Sequence, residues 1–498
     1  MTKGRNLVIA LPLLMLIAAC QGERGQQITA GMDMVMIMPV TTSSDAARSH
    51  FMLGQHALDV GRGFEAIDHF KAAVEADPTF AFAYLRLANT ANSTDEFVDN
   101  AKMAAQHAGS ASEAEQLQIQ ITQTFLNNDV EGRLRLADRL VEVAPESPRA
   151  WQTLAGIQAG RNNMEDSRAS IMKAVELSPD FASAYAQLGN SYLFLEPRDF
   201  TKAEENFAKV VELEPDEPNS YDLLGDAFRA QNELTKARDS YTRAAELSPH
   251  NALFLQQRGH ANSFLGDYDA ARADYTAAMA LGRGNEQAAY AQWRAYVSVY
   301  AGDPEAAIVE LNELASAVDG MGMPGPLGIK IGILTDVATI ALHHNNFSVA
   351  EAALDRRAEL MMEQADKVGT VESRRGQEAN IIYFEGQLAA RMGDYGVAAE
   401  KAAEFMSVLE PSNNPRKNEP AHDLLGLVSL LQGDYNGAIG HFDAANPNNV
   451  YTQYHLALAY EGAGNSAAAM EIFKSLAVNN FNFANYALIR ADAIEKSM

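Results

Sequence analysis

Proline recurs through the first half of this chain at a nearly constant spacing. Pro78, Pro145, Pro179, Pro215 and Pro249 are separated by 67, 34, 36 and 34 residues, and 67 is close to two such intervals. Proline costs ~3 kcal/mol inside a helix, so one at a fixed place in each interval marks where a helix stops. A period of about 34 residues belongs to a helix–turn–helix unit that buries its apolar face only by stacking on its neighbours. The 498 residues therefore do not divide by a prior of ~150 residues into about three globular domains. They read as one long array whose core runs from unit to unit.

Residues inside the interval repeat as well. Leu53-Gly54, Ala66, Phe70 and Ala73 precede Pro78 at the offsets at which Leu224-Gly225, Ala237, Tyr241 and Ala244 precede Pro249. Trp151, Leu154 and Ala174 keep the register before Pro179. Tyr185, Leu188-Gly189 and Tyr192 keep it before Pro215, apart from two extra residues near Pro197; Gly259, Ala271, Tyr275 and Ala278 follow. Small residues let helices approach closely and the aromatic fills the remaining space, so these stripes read as core and not as a cofactor box. The pattern resembles the tetratricopeptide repeat (TPR) family. That resemblance implies an all-α fold, a right-handed TPR superhelix (an α-solenoid) of about 12 helix-turn-helix repeats. Residues 81–113 and 114–147 are degenerate units. Later ones are phased by Gly302-Asp303, Gly393-Asp394, Gly433-Asp434 and Gly464-Asn465 before Ala-rich helices. The borders, Pro39 to Ser44 and Asn485 to Arg490, look like those of a recurrent bacterial family of secreted or lipid-anchored TPR proteins, which supplies no reaction.

The start of the chain has a different character. Lys3 and Arg5 precede an apolar run of 11 residues, Leu7 to Ile17, then Ala18, Ala19 and Cys20, the one cysteine present. Such a run is shorter than the ~20 residues that span a membrane and has the form of a signal peptide. Ile17-Ala18-Ala19-Cys20 resembles a bacterial lipobox. The resemblance implies cleavage before Cys20, lipidation of its thiol and acylation of the new amine; two or three acyl chains anchor stably where one does not. Gln21, which is not Asp, points to the outer membrane, facing the periplasm. No later apolar run reaches spanning length, so the remainder is expected to be soluble. The expected organisation is signal peptide 1–19, lipidated tether 20–44, N-terminal array 45–318, a Gly/Pro hinge loop 319–328 and a C-terminal TPR-like array 329–498. Within the tether, the apolar Met34 to Met38 can pair as an edge strand, dock on a helix or serve as plain linker.

The search for chemistry returns little. Gly320, Gly322 and Gly325 match a dinucleotide fingerprint as a string, but helical pattern precedes them and Pro324 and Pro326 follow where a phosphate-binding helix would start. There is no Walker motif, His-Glu-x-x-His or Gly-x-Ser-x-Gly. His343-His344 point ~100° apart on a helix, so they read as an exposed helix end and not a shared metal site. No catalytic residue, metal site or cofactor is expected, and the chain is expected not to be an enzyme. The net charge of -26, which becomes -28 when the leader removes Lys3 and Arg5 but no acid, argues against nucleic acid. Membrane contact is expected through the lipid anchor only.

Recognition remains. By the TPR resemblance, the first helix of each unit lines a groove, which places there Asn190, Leu193 and Phe194, then Asp222, Asp226 and Arg229, then Gln256, His260, Ser263 and Phe264. These could equally form an ordinary wet surface. The carboxylate clamp of some TPR domains does not fit: Asn89 and Asn190 match, but Leu85, Ala186 and Asp222 stand where a lysine is needed. The expected function is a non-enzymatic scaffold or adaptor binding a protein or peptide, through a basic or neutral segment favoured by the acids. The alternative is an enzyme or small-ligand-binding protein with a pocket in the less regular C-terminal half; a self-associating array is a third reading. Cys20→Ala is expected to move the protein from the membrane pellet to the soluble envelope fraction, and full retention in the pellet on fractionation would contradict lipid attachment.

Overall fold

The computed structural model describes residues 40–127, 129–322 and 325–498. The expected signal peptide, Cys20 and the tether as far as residue 39 lie outside the described residues. Among the described residues there are 25 α-helices and no strand. In order they are α1 (Asp45–Asp59), α2 (Gly63–Ala76), α3 (Ala81–Asn89), α4 (Thr94–His107), α5 (Glu113–Asn127), α6 (Val130–Val143), α7 (Pro148–Gly160), α8 (Met164–Leu177), α9 (Ala182–Phe194), α10 (Phe200–Leu213), α11 (Pro218–Ala230) and α12 (Leu234–Leu247). There follow α13 (Ala252–Leu265), α14 (Tyr268–Leu281), α15 (Asn285–Tyr300), α16 (Pro304–Ala317), α17 (Pro326–His343), α18 (Phe347–Val368), α19 (Val371–Met392), α20 (Tyr395–Leu409), α21 (Glu419–Leu431), α22 (Tyr435–Asp443), α23 (Val450–Gly462), α24 (Ser466–Ala477) and α25 (Ala484–Lys496). Consecutive helices pair twelve times and α25 stands alone at the end, an all-α solenoid in agreement with the repeat count.

The pairs form where the sequence places small residues opposite rings. A Cβ on Gly189 of α9 would lie 2.5 Å from the Phe207 ring of α10. One on Gly225 of α11 would lie 2.5 Å from the Tyr241 ring of α12. Gly54 with Phe70, Gly259 with Tyr275 and Gly426 with Phe442 repeat the arrangement. The five rings are almost wholly buried, each contributing ~1.5–3 kcal/mol by leaving water. The first helices also take side-chain caps: Ser44 accepts from Ala47 N and Ser147 from Ala150 N, with Pro148 in the first turn of α7. The two extra residues near Pro197 are held by Arg168 of α8, which donates to the carbonyls of Ser191, Leu195 and Pro197 at 2.7, 3.0 and 2.9 Å.

The described residues gather into two compact units, one ending at 231 with 239–251 added, the other 232–238 with 252–498. In the first unit the end of the expected tether is docked. Thr41 N and Oγ1 donate to the carboxylate of the fully buried Glu115 at 2.9 and 2.5 Å, and Thr42 Oγ1 donates to Asp77 at 2.5 Å. Ser112 N and Oγ bind the same Glu115 carboxylate, at 2.8 and 2.7 Å.

In the second unit the expected loop 319–328 ends inside α17, which starts at Pro326, and one hydrophobic core takes in helices on both sides of that segment, from Ala288 to Leu354. By length and composition α17 could cross a membrane, which the sequence reading did not anticipate. Its Ile333, Leu334, Val337, Ala338, Ile340, Ala341 and Leu342 belong instead to that core. Gly189→Ala is expected to cost ~1–3 kcal/mol by overpacking against Phe207, read as faster amide exchange in α9 and α10, with Gly189→Ala/Phe207→Leu recovering part of the loss.

Candidate functional site

Successive first helices touch one another, α3 with α5, α7 with α9 and α9 with α11. The first helices thus form the inner layer of the first unit, and polar side chains on that layer are crowded. Among them several acceptors are sealed from solvent with no donor: Gln55 Oε1 on α1, Gln187 Oε1 and Asn190 Oδ1 on α9, and Asp222 Oδ1 on α11. An unsatisfied buried acceptor costs ~1–3 kcal/mol, so four on one layer ask for an explanation.

The expected groove residues separate in the structure. Asn190 lies on this layer, half-buried. Leu193 lies in the core with Ala203, Phe207 and Ala227, and Phe194 packs against the edge of that cluster. On α11, Asp226 accepts from Arg229 Nη2 at 2.9 Å and from the buried Tyr241 hydroxyl at 2.8 Å. Burial first, then Asp226, pushes the Asp222 carboxyl well above its ordinary range, against the pull of Arg229. The acids on α11 therefore carry less free negative charge than the sequence argument assigned them: one is ion-paired and burial pushes the other toward its neutral form.

Gln256, His260, Ser263 and Phe264 lie on α13 in the second unit, where the chain's own C-terminal segment covers them. The buried Asn482 donates to the Tyr275 hydroxyl at 3.0 Å, lies 3.0 Å from His260 Nδ1 and accepts from the Tyr300 hydroxyl at 3.0 Å. Gln256 meets His260 Nε2 at 3.1 Å, and Ser263 turns back to the Gly259 carbonyl at 2.8 Å. Phe264 meets the edges of Tyr300 and Tyr486 at 5.9 and 6.0 Å, and Arg490 lies over it. Asn480 reaches Asn232 at 3.0 Å, and Tyr486 and Ile489 are fully buried beside Leu234 and Phe264. His260, Ser263 and Phe264 are thus buried within the second unit, and Gln256 is half-buried beside His260.

That unit carries a device the sequence did not reveal. A tyrosine on one first helix donates to an aspartate on the next: Tyr296 to Asp336 at 2.6 Å, Tyr383 to Asp423 at 2.6 Å and Tyr454 to Asp492 at 2.7 Å. Gln292 also donates to Asp336 at 3.0 Å. Burial pushes Asp336 up to about 6 against these two bonds, and pushes Asp423 upward too. His343 is no simple exposed helix end: its Nδ1 lies 2.7 Å from the Tyr451 hydroxyl, which Arg391 also contacts at 2.9 Å, and burial with Arg391 lowers it to about 4. His344, beside it, is exposed. Among the described residues no three His, Cys, Asp or Glu side chains gather as metal ligands would.

Three tetratricopeptide repeat models match the chain, at residues 188–252, at 429–493, and at 148–181 with 252–281. No curated protein matches. Among solved structures, "MamA 41-end from Desulfovibrio magneticus RS-1" is 20% identical over 34% of this chain and 96% of its own, with a TM-score of 0.31. "MamA RS-1 ArsTM double mutant" is likewise 20% identical over 34% of this chain and 95% of its own, with a TM-score of 0.31. "Crystal structure of YrrB: a TPR protein with an unusual peptide-binding site" is 22% identical over 36% of this chain and 91% of its own, with a TM-score of 0.30.

The buried tyrosine–aspartate bonds predict a pH signature. The carboxyl of Asp336 is raised from 3.8 to about 6 in the folded chain, so the stability that its neutral form contributes is complete below 3.8 and is lost as pH rises through about 6. Asp336→Asn removes that slope. Relative to the variant, the native chain is expected to lose ~2–3 kcal/mol between those limits, measured by denaturant unfolding at each pH.

Proposed function

The chain carries tetratricopeptide repeats, and on that premise we propose that it is a non-enzymatic scaffold that holds a partner protein segment on the first-helix layer of its first unit. Such repeats serve protein binding, and the observation that carries the reading for this chain is the set of unpaired buried acceptors on α1, α9 and α11. An extended segment offers backbone N–H groups and side-chain donors at the height of Gln187, Asn190 and Asp222. Each such bond replaces an unsatisfied acceptor and so contributes more than a hydrogen bond exchanged with water. Donors are what amide-bearing and basic side chains supply, which keeps a basic or neutral partner segment as the favoured class. The second unit takes part as a closed body, since its own C-terminal segment fills the face around α13.

The address belongs to the same proposal. Cys20 is the lipid attachment point, the anchor lies in the outer membrane facing the periplasm, and the lipid is the chain's only membrane contact. The net charge of -26 keeps nucleic acid out of the partner list.

A photo-crosslinking amino acid at position 190, with a second at the exposed position 205 on α10 as control, tests the reading in intact cells. A defined protein adduct from position 190 and none from position 205, weakened when Asp222→Ala is added, is the expected result. Equal adducts from both positions, or none from 190, would refute the groove assignment.

A further inference from the structure

The first unit holds a cation that no described residue pairs with. Arg86 sits on α3, half-buried, with its guanidinium 4.8 Å above the ring of Phe82 one turn earlier. Phe82 is itself buried, stacked on Phe51 at 5.2 Å, so one face of the guanidinium is fixed against an apolar wall. The Nε of Arg86 is closed off from solvent and meets no acceptor, and among the described residues its side chain makes no hydrogen bond or ion pair. The nearest acid is already committed. Asp59 receives both terminal nitrogens of Arg149, Nη1 at 2.8 Å, and in addition Gln55 Nε2 at 3.1 Å. Arg149 in turn lies over Phe181. Two guanidinium groups thus share one carboxylate, and the carboxylate has gone wholly to Arg149.

The electrostatics agree with the geometry. Burial, and then the like charge of Arg149, lower the Arg86 guanidinium to about 10, and only Asp59 opposes them. A charge so placed is poorly solvated and poorly paired, a costly state unless a counter-charge arrives. In a chain with 65 acidic and 39 basic residues, an arginine left without an acid is not a shortage of acids in the sequence. It is a position that the fold keeps open.

We propose that Arg86 is the anchor of an oxyanion site on the inner layer of the first unit, taking the carboxylate or phosphate group of a ligand. A planar guanidinium presents paired N–H donors that match two oxygens of either group. Phe82 holds that fork in plane, and Arg149, ion-paired to Asp59, keeps that carboxylate away from Arg86. The site differs from the lysine-based clamp that the sequence lacks, since it rests on one arginine and its aromatic wall. It rests on other atoms than the partner reading above, whose test sits on α9 and α11.

Titration calorimetry of the full chain with sodium acetate and with inorganic phosphate, at ionic strength held constant with chloride, tests the site. Saturable one-site binding is expected with at least one of the two anions, weakened tenfold or more in Arg86→Met and reduced to an intermediate level in Arg86→Lys. The pair of anions decides between a carboxylate and a phosphate source. Arg391→Met, in the second unit, should bind as the native chain does. No saturable binding, or equal binding by Arg86→Met, overturns the proposal. If Arg86→Met fails to fold, the Arg86→Lys result decides, and native-strength binding there overturns it. Failure here leaves crosslinking through position 190 unaffected, so the two readings fall separately.

Discussion

The contact between a glycine on one helix and a ring on the next is the constraint on which the rest of this protein depends. At Gly189 and Phe207 or Gly225 and Tyr241 the helices meet so closely that a single added methyl would lie 2.5 Å from the ring. That distance fixes how each pair closes, and buried alanines such as Ala203, Ala237 and Ala271 fix how the next pair sits on it. Once the pairs are this thin, the first helices touch each other across repeats. Side chains on them become buried whether they are apolar or not. The unpaired acceptors of the first unit and the tyrosine–aspartate bonds of the second both follow from that crowding.

What repeats in the sequence was legible there. The proline spacing, the glycine–aromatic offsets and the count of about twelve pairs are local patterns restated many times, and a stack of equivalent units reproduces them. What happens once was not legible. Arg149 meets Asp59 across 90 residues, Thr41 meets Glu115 across 74, and Asn482 reaches Tyr275 across 207. Nothing in a period announces such contacts, because each joins two positions that the repeat treats as unrelated. The candidate groove was read by extrapolating the repeat, and so Leu193 was placed in the groove although the helix turns it into the core. Phe264 was placed there too, and it packs against the C-terminal segment. His343 was judged by its neighbour His344, and only Tyr451 on α23 gives it a partner.

The second unit answers several of its buried polar groups from within. In the second, polar groups on first helices are matched by other side chains of the chain: Asp336 by Tyr296 and Gln292, Asp423 by Tyr383, Gln387 and Thr452. Asn482 adds a donor to the Tyr275 hydroxyl, while Asn262 Oδ1 on α13 stays sealed from solvent with no donor, and α25 closes the core behind the segment. In the first unit the layer is left with acceptors on α1, α9 and α11 and a lone cation on α3. Buried groups left without a partner, in either unit, have the most to gain from a donor or acceptor brought from outside.

This distinction changes what the large negative charge means. Many acids are exposed and pair with a base three residues away, as Glu142 does with Arg139, Glu176 with Lys173 and Glu212 with Lys209. Such surface pairs contribute little and are screened by salt, so the excess acids beside them govern solubility more than recognition. Charge acts strongly only where water is scarce, on the inner layer. There Asp222, Asp336 and Asp423 are pushed toward their neutral forms, and Arg86 is a positive charge with no ion pair among the described residues. If the two proposals above hold, a few buried groups and not the surface charge select what binds: acceptors that need a hydrogen, and at Arg86 a cation that needs an anion.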